Sequence, residues 1–312
     1  MTHPTIRILL PTHNGAAYLR ELLDSLLDQD YPNIQITVSD DGSSDETPAI
    51  LDAYAARDPL RIAHYRSGKT FGCAQTHFMH LLKQFSDAPY IMFCDQDDVW
   101  HPDKVSKTLR IMQITEHSTD VPVLVHTDLR VVDSDRNEIC PSFCRHSALD
   151  GNRLELNQLL VQNVVTGCTV MINKALSLLA CRADTPEHMR MHDWWLALLA
   201  SACGKIAFLD EATIDYRQHS CNSVGAKNVR SPAYLLKRLF SNPMRDGMRL
   251  AALQAGSFCK HYSQHLSEDQ IALIQAFAST ADMGLIRRDS IYLRYDLLKS
   301  GFIRRFSQLI GL

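Results

Sequence analysis

The first hundred residues alternate short apolar runs with helix-periodic segments, and that alternation restricts the fold more than anything else in the chain. Ile6–Leu10, Ile34–Ser39, Ile62–Tyr65 and Tyr90–Cys94 are 4 to 6 residues long and read as buried strands. Between them, Tyr18–Asp28, Thr47–Ala56 and Cys73–Phe85 carry apolar residues at helical spacing, as at Leu19, Leu22, Leu23 and Leu26. Strands that alternate with helices return through crossovers and pair in parallel, so the chain is of the α/β class. Ligands of such sheets sit at the carboxyl ends of the strands. The polar clusters fall there: 11–15, 40–45 and 95–98.

The second half is less regular. Val121–Asp133 and Ile206–Leu209 read as strands, and Asp193–Ala202 as a buried helix. Leu154–Val164 leads into an apolar run at Val165–Ile172, and the pattern from Ser231 onward is helical throughout. At 46% hydrophobic and 21% charged, 312 residues can bury a large core, which excludes intrinsic disorder. No stretch reads as a transmembrane helix, and the first residues lack the basic and apolar regions of a signal peptide. Nine cysteines without a repeated spacing suit a reduced, cytoplasmic chain, with Cys140, Cys144 and His146 read as loop residues lacking a fourth zinc ligand.

The net charge of −3 conceals a split. Residues 230–312 hold 12 Lys and Arg against 6 Asp and Glu, whereas residues 1–229 hold 20 against 29. An acidic body argues against nucleic-acid binding, and the basic end points to a separate partner, with a membrane surface the first candidate.

Three clusters carry chemistry. In Asp95-Gln96-Asp97-Asp98 a hydrophobic strand delivers three carboxylates onto one turn. They repel unless a proton or cation neutralises them, and hard oxygen ligands suit Mn²⁺ or Mg²⁺. A solvated acidic turn capping a helix is the plain alternative. Asp40-Asp41-Gly42-Ser43-Ser44-Asp45 combines a turn and helix cap with a carboxylate able to accept from a base N–H. In Met191-His192-Asp193-Trp194-Trp195, a carboxylate stands at the start of a buried helix, where Asp193 reads as its cap.

Together with Pro11-Thr12-His13-Asn14-Gly15 and the run Asp95 to Lys104, in this order and spacing, these segments resemble the family-2 glycosyltransferases. The form Asp-Gln-Asp-Asp-Val-Trp-x-Pro-x-Lys looks most like the bacterial rhamnosyltransferase-like branch. The resemblance covers about the first 220 residues. It implies the GT-A nucleotide-diphospho-sugar transferase fold, a Rossmann-like, mostly parallel sheet over residues 1–229, with a helical, basic extension over 230–312. Carried over residue by residue, it implies that Pro11, Thr12, Asn14, Asp40, Asp95, Gln96, Asp98 and Arg217 bind the nucleotide sugar. Asp97, Asp95 and His219 would hold Mn²⁺ or Mg²⁺. Asp193 would be the catalytic base of an inverting displacement, although His192 stands where the family often has Glu. Gly167 and Trp194 would lie on the acceptor side, with a β-bulge as the plain reading of Gly167.

The activity implied is transfer of L-rhamnose from dTDP-L-rhamnose to a hydroxyl of a growing bacterial surface glycan, free or lipid-linked. A UDP-hexose or UDP-N-acetylhexosamine donor shares every motif. A haloacid-dehalogenase-like phosphatase would use Asp95 and Asp97 instead, but its motif belongs on the first strand. A non-catalytic nucleotide-sugar-binding module would leave Asp193 dispensable. At the C-terminus, Ile291, Tyr295, Leu298, Phe302, Phe306, Leu309 and Ile310 form one helical stripe flanked by Arg287, Arg288, Arg294, Lys299, Arg304 and Arg305. That pattern suits a helix lying on an anionic inner-membrane surface, and a helix packed on the domain is the alternative.

Overall fold

β1 (Ile6–Thr12), β2 (Ile34–Asp40), β3 (Ile62–His64) and β4 (Tyr90–Phe93) alternate with α1 (Ala16–Leu27), α2 (Thr47–Arg57) and α3 (Ala74–Gln84), as the apolar periodicity requires. The computed structural model describes residues 3–182, 187–218 and 243–310. After β4 come β5 (Val99–Trp100), α4 (Lys104–Thr115), β6 (Val123–Val132), β7 (Glu138–Cys140), α5 (Phe143–His146) and α6 (Leu156–Val161). Then follow β8 (Met171–Asn173), α7 (Lys174–Ala180), α8 (His192–Cys203) and β9 (Lys205–Arg217). The described C-terminal part holds α9 (Pro243–Tyr262), α10 (Glu268–Ala278), α11 (Leu285–Arg294) and α12 (Phe302–Leu309).

All the described strands share one sheet in the order β3-β2-β1-β4-β8-β6-β9-β5, with β7 on β6. The four expected strands pair in parallel, β1 beside both β2 and β4. β8 joins β4 and β6 antiparallel, so the second half turns the sheet from parallel to mixed. Alternate residues of β1 enter two apolar layers. Ile6, Ile8 and Leu10 pack with Leu19, Leu22 and Leu23 of α1, and Leu9 packs with α3 and α8 on the other face. This period of two puts Arg7 on the face of Leu9, opposite Ile6, Ile8 and Leu10.

Two expected elements come out differently. The apolar run Val165–Ile172 forms mostly a tight turn at Gly167–Thr169, and only Met171–Asn173 is strand. β9 is thirteen residues long rather than four, because its polar half pairs its side chains along β6.

The boundary expected between 229 and 230 lies outside the described residues. The helices beyond it share the core of the sheet: Ala252, Phe258 and Phe277 pack in one cluster with Leu159 and Trp195. The C-terminal stripe is two helices, not one. The chain breaks between Tyr295 and Gly301, where Asp296 and Gly301 adopt positive φ of 48° and 78°. Arg288 and Arg304 are not solvent-facing flanks. Arg288 Nη2 donates to the Gln308 carbonyl at 3.0 Å, and Arg304 donates to the carbonyls of Ser147 and Ala148. No helix of the described residues is long and apolar enough to cross a membrane.

Candidate active site

The parallel register sets the carboxyl ends of β1, β2 and β4 side by side, with Thr12 opposite Asp40 and the turn 95–98 continuing from β4. Thr12 Oγ1 donates to Asp40 Oδ1 at 3.1 Å. Asp40 also accepts from Ser43 Oγ at 2.5 Å and from the backbone N–H groups of Gly42 and Ser43 at 3.1 and 2.8 Å. Asn14 joins the same rim: its N–H donates to Ser43 Oγ and its Oδ1 accepts from the Ser44 N–H, at 2.7 and 2.9 Å. Pro11, Thr12, Asn14 and Asp40 therefore form one continuous edge. Asp41, given no role of its own by sequence reasoning, accepts from the N–H groups of Phe71 and Gly72 and so clamps the β3–α3 loop beside that edge.

Gln96 ties the acidic turn to this edge. Its Oε1 accepts from the His13 N–H at 2.8 Å and its Nε2 donates to the His13 carbonyl at 3.0 Å. Gly15 makes room for it, because a Cβ there would lie 2.5 Å from Gln96 Oε1. Both ends of the Gln96 amide are committed to backbone, and its part is to join two loops.

Asp98 is 0% exposed, and neither of its oxygens has a hydrogen bond of ordinary geometry. Asp95, Asp98 and Cys168 bring ligand-capable atoms within 4.8 Å of one another, which groups Asp95 with Asp98 rather than with Asp97. Burial drives the Asp98 and Asp95 carboxyls upward, and repulsion from Asp97 adds to it. Burial also holds the Cys168 thiol well above its ordinary range, so it stays protonated and is a poor ligand for a hard cation. Buried carboxylate oxygens without partners fit a divalent oxygen-preferring ion, because burying them charged and unpaired is costly. Asp95 and Asp98 are the residues that would hold it, and Asp97, the ligand expected from the resemblance, lies outside that group. His219, the third expected ligand, lies outside the described residues. Close by, buried Lys104 sits 4.7 Å over the Trp100 ring. Burial brings its ammonium down to about 8.

Arg217, expected from the resemblance on the diphosphate, is engaged with protein groups around the acidic turn. It is 3% exposed, its Nε donates to the Asp97 carbonyl at 3.0 Å, and its Nη2 meets Glu21 at 2.5 Å. A further N–H reaches the Ser134 carbonyl, and the guanidinium lies 4.5 Å over the Tyr18 ring. Glu21 also pairs with Arg136 at 2.8 Å. Arg136 and Arg130 both reach Asp215, whose other neighbour is His101 Nε2 at 2.8 Å. Burial alone would raise the Asp215 carboxyl, but His101 and Arg130 overrule it and hold it far below the usual range.

Asp193 occupies the first turn of α8 and accepts from the Trp194 N–H at 2.5 Å. Burial pushes its carboxyl up to about 7, opposed by hydrogen bonds from the backbone of Trp194 and Gly167 and from the Asn163 side chain. Asp193 lies close enough to Asp95 for charge repulsion to raise that carboxyl further. His192 beside it is buried 4.1 Å from the Phe78 ring and is held neutral, at about 3, by desolvation.

The two residues expected on the acceptor side are both packed in the protein. A Cβ on Gly167 would lie 2.8 Å from His192 Nε2, so the missing side chain makes room for α8. Trp194 is 8% exposed and donates its indole N–H to the Leu159 carbonyl at 2.6 Å. Gly167→Ala is expected to cost about 1–3 kcal/mol in denaturant unfolding. It should also lower activity by displacing Asp193.

Sequence reasoning overlooked Glu21, Arg136, Asp215, His101 and Cys168. Their local signals are His101 within the run Asp95 to Lys104, Cys168 beside Gly167, and Asp215 two residues before Arg217.

The mixed sheet, with a carboxylate-rich turn at the ends of its parallel strands, is that of a glycosyltransferase of the GT-A fold. Residues 7–176 match Glycosyl transferase family 2, and the chain belongs to that family. It is similar to the dTDP-rhamnosyl transferase RfbG of Shigella flexneri, 27% identical over 225 residues that cover 70% of this chain and 74% of that one. An uncharacterized glycosyltransferase of Rickettsia prowazekii is 26% identical over 227 residues, 70% of this chain and 66% of that one. Among solved structures, Staphylococcus aureus TarS 1-349 in complex with UDP-GlcNAc has a TM-score of 0.57 at 18% identity, covering 93% of this chain and 80% of that chain. The mannosyltransferase PcManGT of Pyrobaculum calidifontis, in complex with GDP-Man and Mn²⁺, has a TM-score of 0.53 at 16% identity, covering 99% and 88%.

Proposed function

We propose that the protein is an inverting transferase that moves L-rhamnose from dTDP-L-rhamnose to a hydroxyl of a growing bacterial surface glycan, such as an O-antigen or capsule, on a lipid-linked acceptor in the cytoplasm. The observation that carries the transfer reading is Asp193: a buried carboxyl near neutrality, at a helix start, within electrostatic reach of Asp95. A general base works best with its titration near the operating pH. The donor reading is supported by the named activity of the Shigella relative.

The edge Pro11, Thr12, Asn14 and Asp40 would receive the base and ribose, with Asp40 offering its carboxylate to the ring N3–H. Asp95 and Asp98 would hold Mn²⁺ or Mg²⁺, which when bound offsets negative charge on the leaving diphosphate. Asp97 and His219 are carried as ligands by the family resemblance alone. As the acceptor oxygen attacks the anomeric carbon, its proton passes to the Asp193 carboxylate. The bond from that carbon to the diphosphate breaks with its electron pair on the diphosphate. The attack comes from the opposite face, so a β-linked donor gives an α-linked product.

Binding of UDP-GlcNAc by the structural neighbour TarS supports a second donor class, the UDP-N-acetylhexosamines. Thermal shifts with Mn²⁺ separate the two. We expect dTDP-L-rhamnose to raise the melting temperature more than UDP-GlcNAc does, and the reverse order overturns the rhamnose assignment.

A further inference from the structure

α12 is an inside-out helix. Phe302, Ile303, Phe306 and Ile310 fall within an arc of roughly 100° around its axis, and all four are exposed, Phe302 by 82% and Phe306 by 55%. The opposite side holds Arg304, Ser307 and Gln308, and that polar side faces the protein. Gln308 is 1% exposed: its Nε2 donates to the Leu297 carbonyl at 2.7 Å, and its Oε1 accepts from the Lys299 N–H at 2.9 Å. Arg304 fastens the helix to the carbonyls of Ser147 and Ala148, and Arg288 holds the Gln308 carbonyl. A helix that only covered a domain would turn the other way, apolar side inward. Here hydrogen bonds hold the apolar side outward, with the rings of Phe302 and Phe306 stacked 6.3 Å apart.

The surroundings select the occupant. Residues 285–310 hold six Arg and Lys against two Asp, and Arg287, Arg294 and Arg305 are exposed. A second copy would bring the same positive charge against itself. Four side chains on a two-turn helix also fall well short of the ~800 Å² per partner that a stable protein interface buries. An anionic lipid surface meets both demands: acyl chains for the phenylalanines, and headgroup phosphates for the flanking arginines.

We propose that the outward face of α12, Phe302, Ile303, Phe306 and Ile310 with Arg305 at its edge, is an interfacial anchor that seats this protein on anionic bilayers. The anchor follows from the geometry of α12 and not from the donor assignment, so its failure would leave the transfer reading standing.

Flotation of the full chain with vesicles tests it. We expect partition onto phosphatidylcholine vesicles containing phosphatidylglycerol, little onto phosphatidylcholine alone, and weakening by added salt. Phe302→Ser/Phe306→Ser should lower partition at least about tenfold with an unchanged melting temperature, and Arg305→Glu should lower it on the anionic vesicles. The proposal is overturned if the native chain ignores both vesicle types, or if it binds neutral vesicles equally. It is also overturned if either variant floats like the native chain, or if sedimentation shows instead a dimer that the phenylalanine variant dissociates.

Discussion

Asp193→Asn is expected to abolish sugar transfer, by roughly 10³-fold or more, while making the folded protein more stable at pH 8. The two effects have one cause. Burial lifts the Asp193 carboxyl from 3.8 to about 7, so the folded state prefers it protonated. Transfer needs the deprotonated form, and in the native enzyme it should therefore fall about tenfold for each pH unit below that value.

Stability runs the other way. The folded titration lies above the unfolded one, so the benefit of a neutral carboxyl is complete below 3.8. It is lost progressively as pH rises to about 7, because over that window the unfolded chain binds fewer protons. Asparagine carries no such charge. Its advantage should grow across the same window and level off above it, at up to about 4 kcal/mol. Paired denaturant melts at pH 4 and pH 8 read this directly. An advantage of the same size at both values would show that the carboxyl is not held near neutrality.

Arg217→Met is expected to unfold more easily by about 3 kcal/mol and to weaken metal-dependent donor binding at least tenfold. The substitution strips one partner from Glu21 and leaves the carbonyls of Asp97 and Ser134 without their guanidinium, which is itself 3% exposed. Glu21 is 42% exposed and keeps Arg136, so most of the cost lies in the carbonyls left without a donor. The donor effect follows from position, since Arg217 holds the Asp97 carbonyl at the centre of the acidic turn. Arg217→Lys keeps the charge but cannot serve several acceptors in one plane, so it should recover only part of both losses. A methionine variant that melts and binds donor like the native chain would contradict the positioning role.

The sheet's first half was legible because β1 to β4 combine a two-residue period with a helical period between them. Those two rhythms leave one topology. The acidic turn was legible for a related reason, because few strands deliver three carboxylates in four residues. What could not be read concerns partners rather than residues. The letters of Gln96 and Arg217 mark them as polar groups near a site. Only the structure shows their hydrogen bonds going to the His13 backbone and to the Asp97 carbonyl. Gly167 is equally ambiguous in sequence, since a missing side chain can admit a sugar or the His192 ring. β9 was underestimated because Thr213 and Asp215 interrupt its apolar pattern, and their partners are more than eighty residues away. The C-terminal stripe shows the same limit. A helical wheel locates an apolar face but not which side the domain covers, and α12 turns that face outward.

The account rests on transfer with Asp193 as base, and a turnover screen measures that directly. The native chain and Asp193→Asn would be given dTDP-L-rhamnose and a panel of UDP-sugars, with Mn²⁺ or Mg²⁺, and released nucleoside diphosphate would be counted. We expect release by the native chain from one donor in the presence of metal. The variant should release at least 10³-fold less while still binding that donor. No release from any donor, or equal release by the two proteins, would contradict it.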